Sequence, residues 1–236
     1  MTKKSIIARL RKELDSVIAE RRTVSNDEAS LAARLALRQF QAQRMARTHA
    51  DVLASPETNA AATFFLSDLY GTEDLAQRDA NLERVVPAME HLLPPAALET
   101  VADAVALDAL SERLDAAMAR QLGPVFSEGE YIDAYRKVTT RSDRTRQIEH
   151  VESVGMTLCE LVRVPLIGST LSMMRGPAKL ADLAELQNFL ERGFKAFKRM
   201  KRPQDFVSTV VSRERAIMDR LYGGESRPFE LEATAA

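Results

Sequence analysis

The stretch PPAALETVADAVALDALSERLDAAMARQLGP, residues 94–124, decides the fold class. After Pro94-Pro95, the residues Leu98, Val101, Val105, Leu110, Leu114 and Met118 recur at about the 3.6-residue repeat of one helix face. Proline at the first helical position gives up an N–H that a helix start leaves unpaired anyway. Gly123-Pro124 closes the run: glycine suits a left-handed stop, and proline cannot continue the hydrogen-bond ladder. A strand would need apolar and polar residues to alternate, and here they do not. The spacing predicts one long helix.

The same punctuation recurs on both sides. Ile7, Leu10, Leu14 and Val17 mark a helix over residues 6–18. Ser25 or Asn26 can cap a second, in which Leu31, Leu35, Phe40 and Met45 are expected to face the core as it runs to about Leu53. Ser55-Pro56 reads as the cap and first residue of a short third helix that Gly71 stops. Thr72 can start a fourth, which Pro87 should kink. Beyond Gly123, Ser127-Glu128-Gly129-Glu130 fits a capping box. Ser142 can cap the helix that carries Ile148, Val151, Gly155, Leu158 and Val162 as far as Pro165, and a short apolar segment then reaches Gly176-Pro177. The stripe Leu180, Leu183, Leu186, Leu190, Phe194 and Phe197 predicts about five further turns against the core. Pro203 opens the last helix, through Val207, Val210, Val211, Ile217 and Leu221, and Gly223-Gly224 stops it. The expectation is an all-α chain, eight or nine helices in a single bundle over residues 1–229, with 230–236 as a frayed tail.

Composition agrees with that class. Nine glycines and nine prolines in 236 residues are too few for a β-sandwich, and 45% hydrophobic residues are too many for disorder. The single cysteine leaves no disulfide framework and no multi-cysteine zinc site. Cys159, flanked by Leu158 and Leu161 beside Glu160, is expected as a core side chain and not as a reactive thiolate. No run approaches the roughly 18–20 apolar residues of a membrane span. Arg9, Arg11, Lys12 and Glu13 interrupt what would be the apolar core of a signal peptide. The expected location is therefore the cytoplasm, without a membrane partner. The net charge of −1 conceals a segregation: residues 1–50 carry +6, 51–120 carry −9, 121–202 carry +4 and 203–236 carry −2. Its simplest meaning is that the segments neutralise one another when packed; a bipolar surface that steers a charged partner is the functional alternative.

One window differs from the rest. Phe64-Phe65-Leu66-Ser67-Asp68-Leu69-Tyr70-Gly71-Thr72-Glu73-Asp74, with Arg78-Asp79 after it, crowds aromatics and carboxylates into one inter-helix corner. Read structurally, Phe64, Phe65 and Leu69 are core anchors, Tyr70 keeps its hydroxyl near water, and Asp74 sits at the positive end of a helix dipole with Arg78 one turn away. Read functionally, Phe64, Phe65, Asp68, Tyr70, Asp74, Arg78 and Asp79 form a ligand pocket, carboxylates beside an aromatic wall. The run FFLxDLYG, a following aspartate and the later Arg-Asp pair resemble a family of uncharacterised bacterial proteins of similar length. Gly193-Phe194, Arg213 and Pro228-Phe229 also look like that family. The resemblance implies no assigned activity, so it carries no catalytic role to any residue.

Most chemistry fails on spacing. A di-iron bundle needs Glu-x-x-His pairs, which this chain lacks, and Glu90-His91 and Glu149-His150 are adjacent residues pointing about 100° apart on a helix. His49 is the best-placed residue for a haem, although a hydrogen-bonded structural histidine is the commoner case. Ser169-Thr170 lacks the lysine and glycine spacing of a phosphate loop. No cofactor, metal or catalytic residue is predicted, and an enzyme is disfavoured. Arg136, Lys137, Arg141, Arg144 and Arg146 form one basic cluster, and Lys195, Lys198, Arg199, Lys201 and Arg202 another. Nucleic-acid binding through the second is the third reading, weakened because Phe194 and Phe197 fall on the leucine stripe and the pI is about 6.4. The leading expectation is a non-catalytic module that binds a protein partner, including a second copy of itself. The runner-up is a small-molecule or metal-binding bundle using the Phe64–Asp79 corner.

Overall fold

The ends of the helices show why these residues form them. The structure, a computed structural model, describes residues 2–25, 27–66, 86, 90, 95–165, 167–173, 175–180 and 184–231, and no strand occurs among them. Its helices are α1 (Lys3–Ser25), α2 (Glu28–Thr48), α3 (Ala50–Ala54), α4 (Asn59–Phe64), α5 (Pro95–Leu122), α6 (Glu128–Val138), α7 (Arg141–Leu161), α8 (Ile167–Met173), α9 (Arg175–Leu180), α10 (Ala184–Lys198) and α11 (Pro203–Gly223). The chain is all-α. Helix α5 is the stretch from Pro95, and Gly123 ends it at φ 69°, a conformation that disfavours any side chain. The capping box is formed: the Ser127 N–H donates to Glu130 Oε2 at 2.7 Å, and the Glu130 N–H donates back to Ser127 Oγ at 3.3 Å. Pro203 is the first residue of α11, and Gly224 closes it at φ 83°.

Several boundaries differ from the expectation. Helix α1 runs through Ser25, and Asp27 caps α2 by accepting the Ser30 N–H at 2.9 Å. Thr140, not Ser142, caps α7, its Oγ1 accepting the Asp143 N–H at 3.0 Å. His49 leaves the helical region (φ −113°, ψ 28°), so α2 stops at Thr48 and α3 is a separate turn. Ser55 ends α3 and Pro56 lies in a turn; α4 begins only at Asn59, and Thr58 donates its hydroxyl to the Val52 carbonyl at 2.6 Å. The expected features at Gly71, Thr72 and Pro87 lie outside the described residues.

Three apolar clusters fill the bundle. Ile6, Ile7, Leu10 and Leu14 of α1 lock against Val86 and against Leu98, Ala102 and Val105 of α5. Each fully buried aliphatic chain there is worth about 1.5–3 kcal/mol over an exposed one. Leu37 of α2, Met118 of α5, Tyr131 and Tyr135 of α6, and Ile217 and Leu221 of α11 make the second cluster. Phe64 of α4, Cys159 of α7, Phe197 of α10, and Phe206, Val207 and Val211 of α11 make the third. The third depends on two close approaches. A β-carbon on Gly193 would lie 2.9 Å from Phe64 Cζ, and one on Gly155 would lie 2.9 Å from Val207 Cγ1.

Helix α10 follows its predicted stripe in part: Phe197 is buried and Phe194 packs on the third cluster. Leu190 of the same stripe is 45% exposed, whereas Gln187, Glu191 and Ala196 are buried. Glu191 accepts from Arg175, from Gln187 at 3.0 Å and from Lys195 at 3.2 Å, which lets a carboxylate occupy an inward position. The side chains of Leu180, Leu183 and Leu186 are outside the described residues. The basic start of the chain meets the acidic middle through Arg9–Asp103 at 2.7 Å and Arg21–Asp108 at 2.9 Å. Glu230 and Leu231, expected in the frayed tail, are held: Arg220 donates to the Glu230 carbonyl at 2.5 Å and Leu231 packs on the second cluster.

Candidate functional site

Of the corner residues, Phe64 and Phe65 are described, and Asp68, Tyr70, Asp74, Arg78 and Asp79 lie outside the described residues. Phe64 is 8% exposed, with its ring centroid 5.2 Å from that of Phe189. Phe65 stacks on Phe206 at 5.9 Å and meets Phe197 edge-on at 5.8 Å. Both rings are core anchors. The later residues that carry the family resemblance also have packing partners. Gly193 lies against Phe64, and Phe229 sits 6.4 Å from Phe40 and 6.1 Å from Tyr131. Arg213 grips Asp51 with two hydrogen bonds of 2.6 and 2.8 Å, which outweigh the opposing effect of burial and hold the Asp51 carboxyl at about 2.

The other candidates resolve into structural partners. His49 is 5% exposed, and its Nε2 lies 3.0 Å from Glu214 Oε1. Arg44 reaches the same carboxylate at 2.5 and 2.7 Å. Burial pushes the Glu214 carboxyl up, but the charge of Arg44 and the contact with His49 outweigh it and bring it to about 2. Cys159 is fully buried, and burial raises its thiol. Among the described residues no group of three or more histidine, cysteine, aspartate or glutamate side chains is placed to hold a metal ion. The first basic cluster is largely consumed within the fold. Arg136 donates to the Leu221 carbonyl, Arg141 pairs with Asp219, and Arg144 is buried 4.4 Å over the Tyr135 ring. In the second, the cationic side chains are exposed, Phe197 is 1% exposed, and Lys198 Nζ lies 5.4 Å from the centroid of the half-buried Phe194 ring.

What sequence reading missed lies on α2. The predicted inward stripe holds at Met45, which is buried, and at Phe40, which packs on the second cluster, but fails at Leu31, 41% exposed, and Leu35, 37% exposed. The inward face instead carries Arg34, Gln41 and Arg44 beside Ala33, Leu37 and Met45. These polar groups meet matched partners. Arg34 pairs with Glu112, which also accepts from Arg38 at 2.6 Å and Arg21 at 3.2 Å, and Gln41 donates to Asp115 at 2.9 Å. Burial pushes the Glu112 carboxyl up; Arg34, Arg21 and Arg38 together outweigh it and hold it below its ordinary value. The signal was present in the spacing. Arg34, Arg38 and Gln41 on one helix and Asp108, Glu112 and Asp115 on the other recur as regularly as any leucine stripe.

Turning the arginines inward leaves an outer face with few charges. Leu31, Ala32, Leu35, Gln39 and Gln43 are all exposed, and no charged residue is among them. Beside them an open depression of about 320 Å³ is lined by Ala36, Gln39, Phe40 and Gln43 of α2 and by Pro124, Val125 and Phe126 of the loop after α5. Val125, on its rim, is 87% exposed. No helix among the described residues is long and apolar enough to cross a membrane. No curated protein and no solved structure matches the chain. The sequence itself matches a domain of unknown function over residues 20–228, from the end of α1 to the Pro228-Phe229 turn, and the chain belongs to that family, DUF8198.

Proposed function

We propose that this chain is a non-catalytic, cytoplasmic protein-interaction module that engages its partner through the outer face of α2. One observation carries the reading: α2 buries Arg34, Gln41 and Arg44 beside Ala33, Leu37 and Met45 while leaving Leu31 and Leu35 exposed, an arrangement unlike that of a helix that only covers a core. Burying Arg34 and Glu112 costs several kcal/mol of desolvation per ion before pairing returns it. Leaving Leu31 and Leu35 in water forgoes about 1 kcal/mol each. Both costs suit a helix whose outer face is covered by another molecule. The cytoplasm is the fitting compartment for a chain whose one thiol, Cys159, is buried and unpaired.

The test uses the full chain, tagged and expressed in its own host, compared with Leu31→Glu and Leu35→Glu. Quantitative mass spectrometry of co-purifying proteins should show a partner, or the untagged chain itself, that both variants lose while circular dichroism is unchanged. Retention of the same partners by both variants would reject the α2 face as the surface.

A further inference from the structure

We infer that the partner on α2 is α2 of a second copy, lying antiparallel about a two-fold axis that passes near Leu37. The inference rests on the interaction reading above and goes further by naming the occupant and its register. Side chains four apart on a helix form one ridge. Here that ridge is Asp27, Leu31, Leu35, Gln39, Gln43 and Arg47, and all six are exposed. It is uncharged along its length, acidic at its first position and basic at its last.

Such a ridge is complementary to its own reversed copy. An isologous contact pairs residue i with j and j with i. With the axis near Leu37, Asp27 of one copy meets Arg47 of the other, which is 62% exposed in a long 3.4 Å pair with Glu128 of its own chain, while Leu31 meets Gln43 and Leu35 meets Gln39. The leucines of each copy then fall over Gln39 and Gln43 of its partner, two of the residues that line the 320 Å³ depression. The projecting side chains and the hollow belong to the same surface, and the two-fold brings them together twice. A parallel pairing would set Asp27 against Asp27 and Arg47 against Arg47. Antiparallel packing also opposes the two helix dipoles favourably.

The area sets the strength. A 21-residue helix about 31 Å long and 10 Å wide presents on the order of 300 Å². A standard interface takes roughly 800 Å² per partner. The corner with Val125 and Phe126 adds to the contact without closing that gap. The dimer is therefore weak and reversible.

Sedimentation velocity of the full chain from about 2 to 200 µM should show the weight-average mass rising from one copy towards two. Leu35→Glu and Arg47→Asp, both at exposed positions, should each weaken association at least tenfold with unchanged circular dichroism. Register is read by disulfide trapping: an equimolar mixture of Leu35→Cys and Gln39→Cys should cross-link faster under mild oxidation than either variant alone. A chain that stays monomeric at the highest concentration would overturn the inference. If its α2 variants still lost a partner from the host, the wider interaction reading would stand without it. A dimer indifferent to Leu35→Glu would overturn it too, since the copies would then meet elsewhere.

Discussion

Replacing Glu112 by glutamine isolates the polar seam beneath α2. The side chain keeps its shape and one acceptor oxygen but loses the charge shared by three guanidinium groups. Its surroundings are nearly dry: side-chain exposure is 7% for Glu112, 4% for Arg34, 15% for Arg38 and 11% for Arg21. Removing one partner of a buried pair costs about 3–5 kcal/mol, because the remaining charge is left uncompensated. Two carboxylates remain to share the excess, Asp108 at 2.9 Å from Arg21 and Asp115 at 3.8 Å from Arg34. The loss should therefore sit at the low end, about 3 kcal/mol, which for a chain of this size lowers the melting temperature by about 6–12 °C. Urea unfolding is the assay, read as a fall in midpoint at unchanged slope. Glu128→Gln is the control. Its pair with Arg47, 3.4 Å apart and about half exposed on both sides, should be worth less than about 1 kcal/mol. Adding Arg38→Met to Glu112→Gln should recover part of the loss by removing one stranded cation. A loss below about 1 kcal/mol for Glu112→Gln, or no recovery in the double variant, would refute the claim that α2 is held by buried charge.

The remaining predictions use the same unfolding measurement. Glu214 has a folded value of about 2 against an ordinary 4.5, so its contribution is fully present above pH 4.5 and is lost as pH falls towards 2. That contribution is about 3 kcal/mol, and Glu214→Gln should flatten the pH dependence of stability across the window; a slope equal to the parent chain's would contradict it. Gly193→Ala should destabilise by about 1–3 kcal/mol, because its β-carbon would press on Phe64. Gly129→Ala, whose nearest neighbour is the Ser127 hydroxyl at 4.0 Å, should instead stabilise α6 by up to about 1 kcal/mol, and two changes of the same sign would be inconsistent with the packing. Phe229→Ala, which strips a ring from Phe40 and Tyr131, should cost about 2–3 kcal/mol and leave Arg44 without its cation–π face; a loss below about 1 kcal/mol would mean that the C-terminal turn does not brace the second cluster.

Helices whose inward face is apolar were legible in the sequence. Ile7, Leu10, Leu14 and Val17 are all buried where their spacing placed them, as are Leu98, Leu114 and Met118 of α5 and Val207, Val211, Ile217 and Leu221 of α11. Hydropathy alone fixes the rotation of such a helix. The capping box at Ser127 and the glycine stops at Gly123 and Gly224 were legible because they are local, needing only neighbours three or four residues away. The caps at Asp27 and Thr140 were misplaced by one or two positions, since several adjacent polar side chains can each satisfy an open N–H. The rotation of α2 was legible only at Phe40 and Met45, and that of α10 only at Phe194 and Phe197. Each turns on a carboxylate–arginine match between residues distant in sequence, Arg34 with Glu112 in one case and Arg175 with Glu191 in the other. A single helix read alone shows only that leucines and arginines lie on different faces.

Magnitudes decide which face of α2 turns inward. Rolling the helix to bury Leu31 and Leu35 would gain about 2–3 kcal/mol of apolar burial at most. The same roll would carry Arg34, Gln41 and Arg44 away from Glu112, Asp115 and Glu214, leaving Glu112 with Arg21 alone and the other two without their partners from α2. Each stranded buried charge costs about 3 kcal/mol or more, so the roll loses even after the leucines are counted. The seam is thus a poor source of net stability, since matched apolar residues of the same volume would serve as well or better. What it supplies is orientation: it fixes the one rotation of α2 that leaves Leu31, Leu35 and the ridge between Asp27 and Arg47 facing outward. A sequence shaped only for a stable bundle has no need of that arrangement, and a sequence that must present α2 to another molecule does.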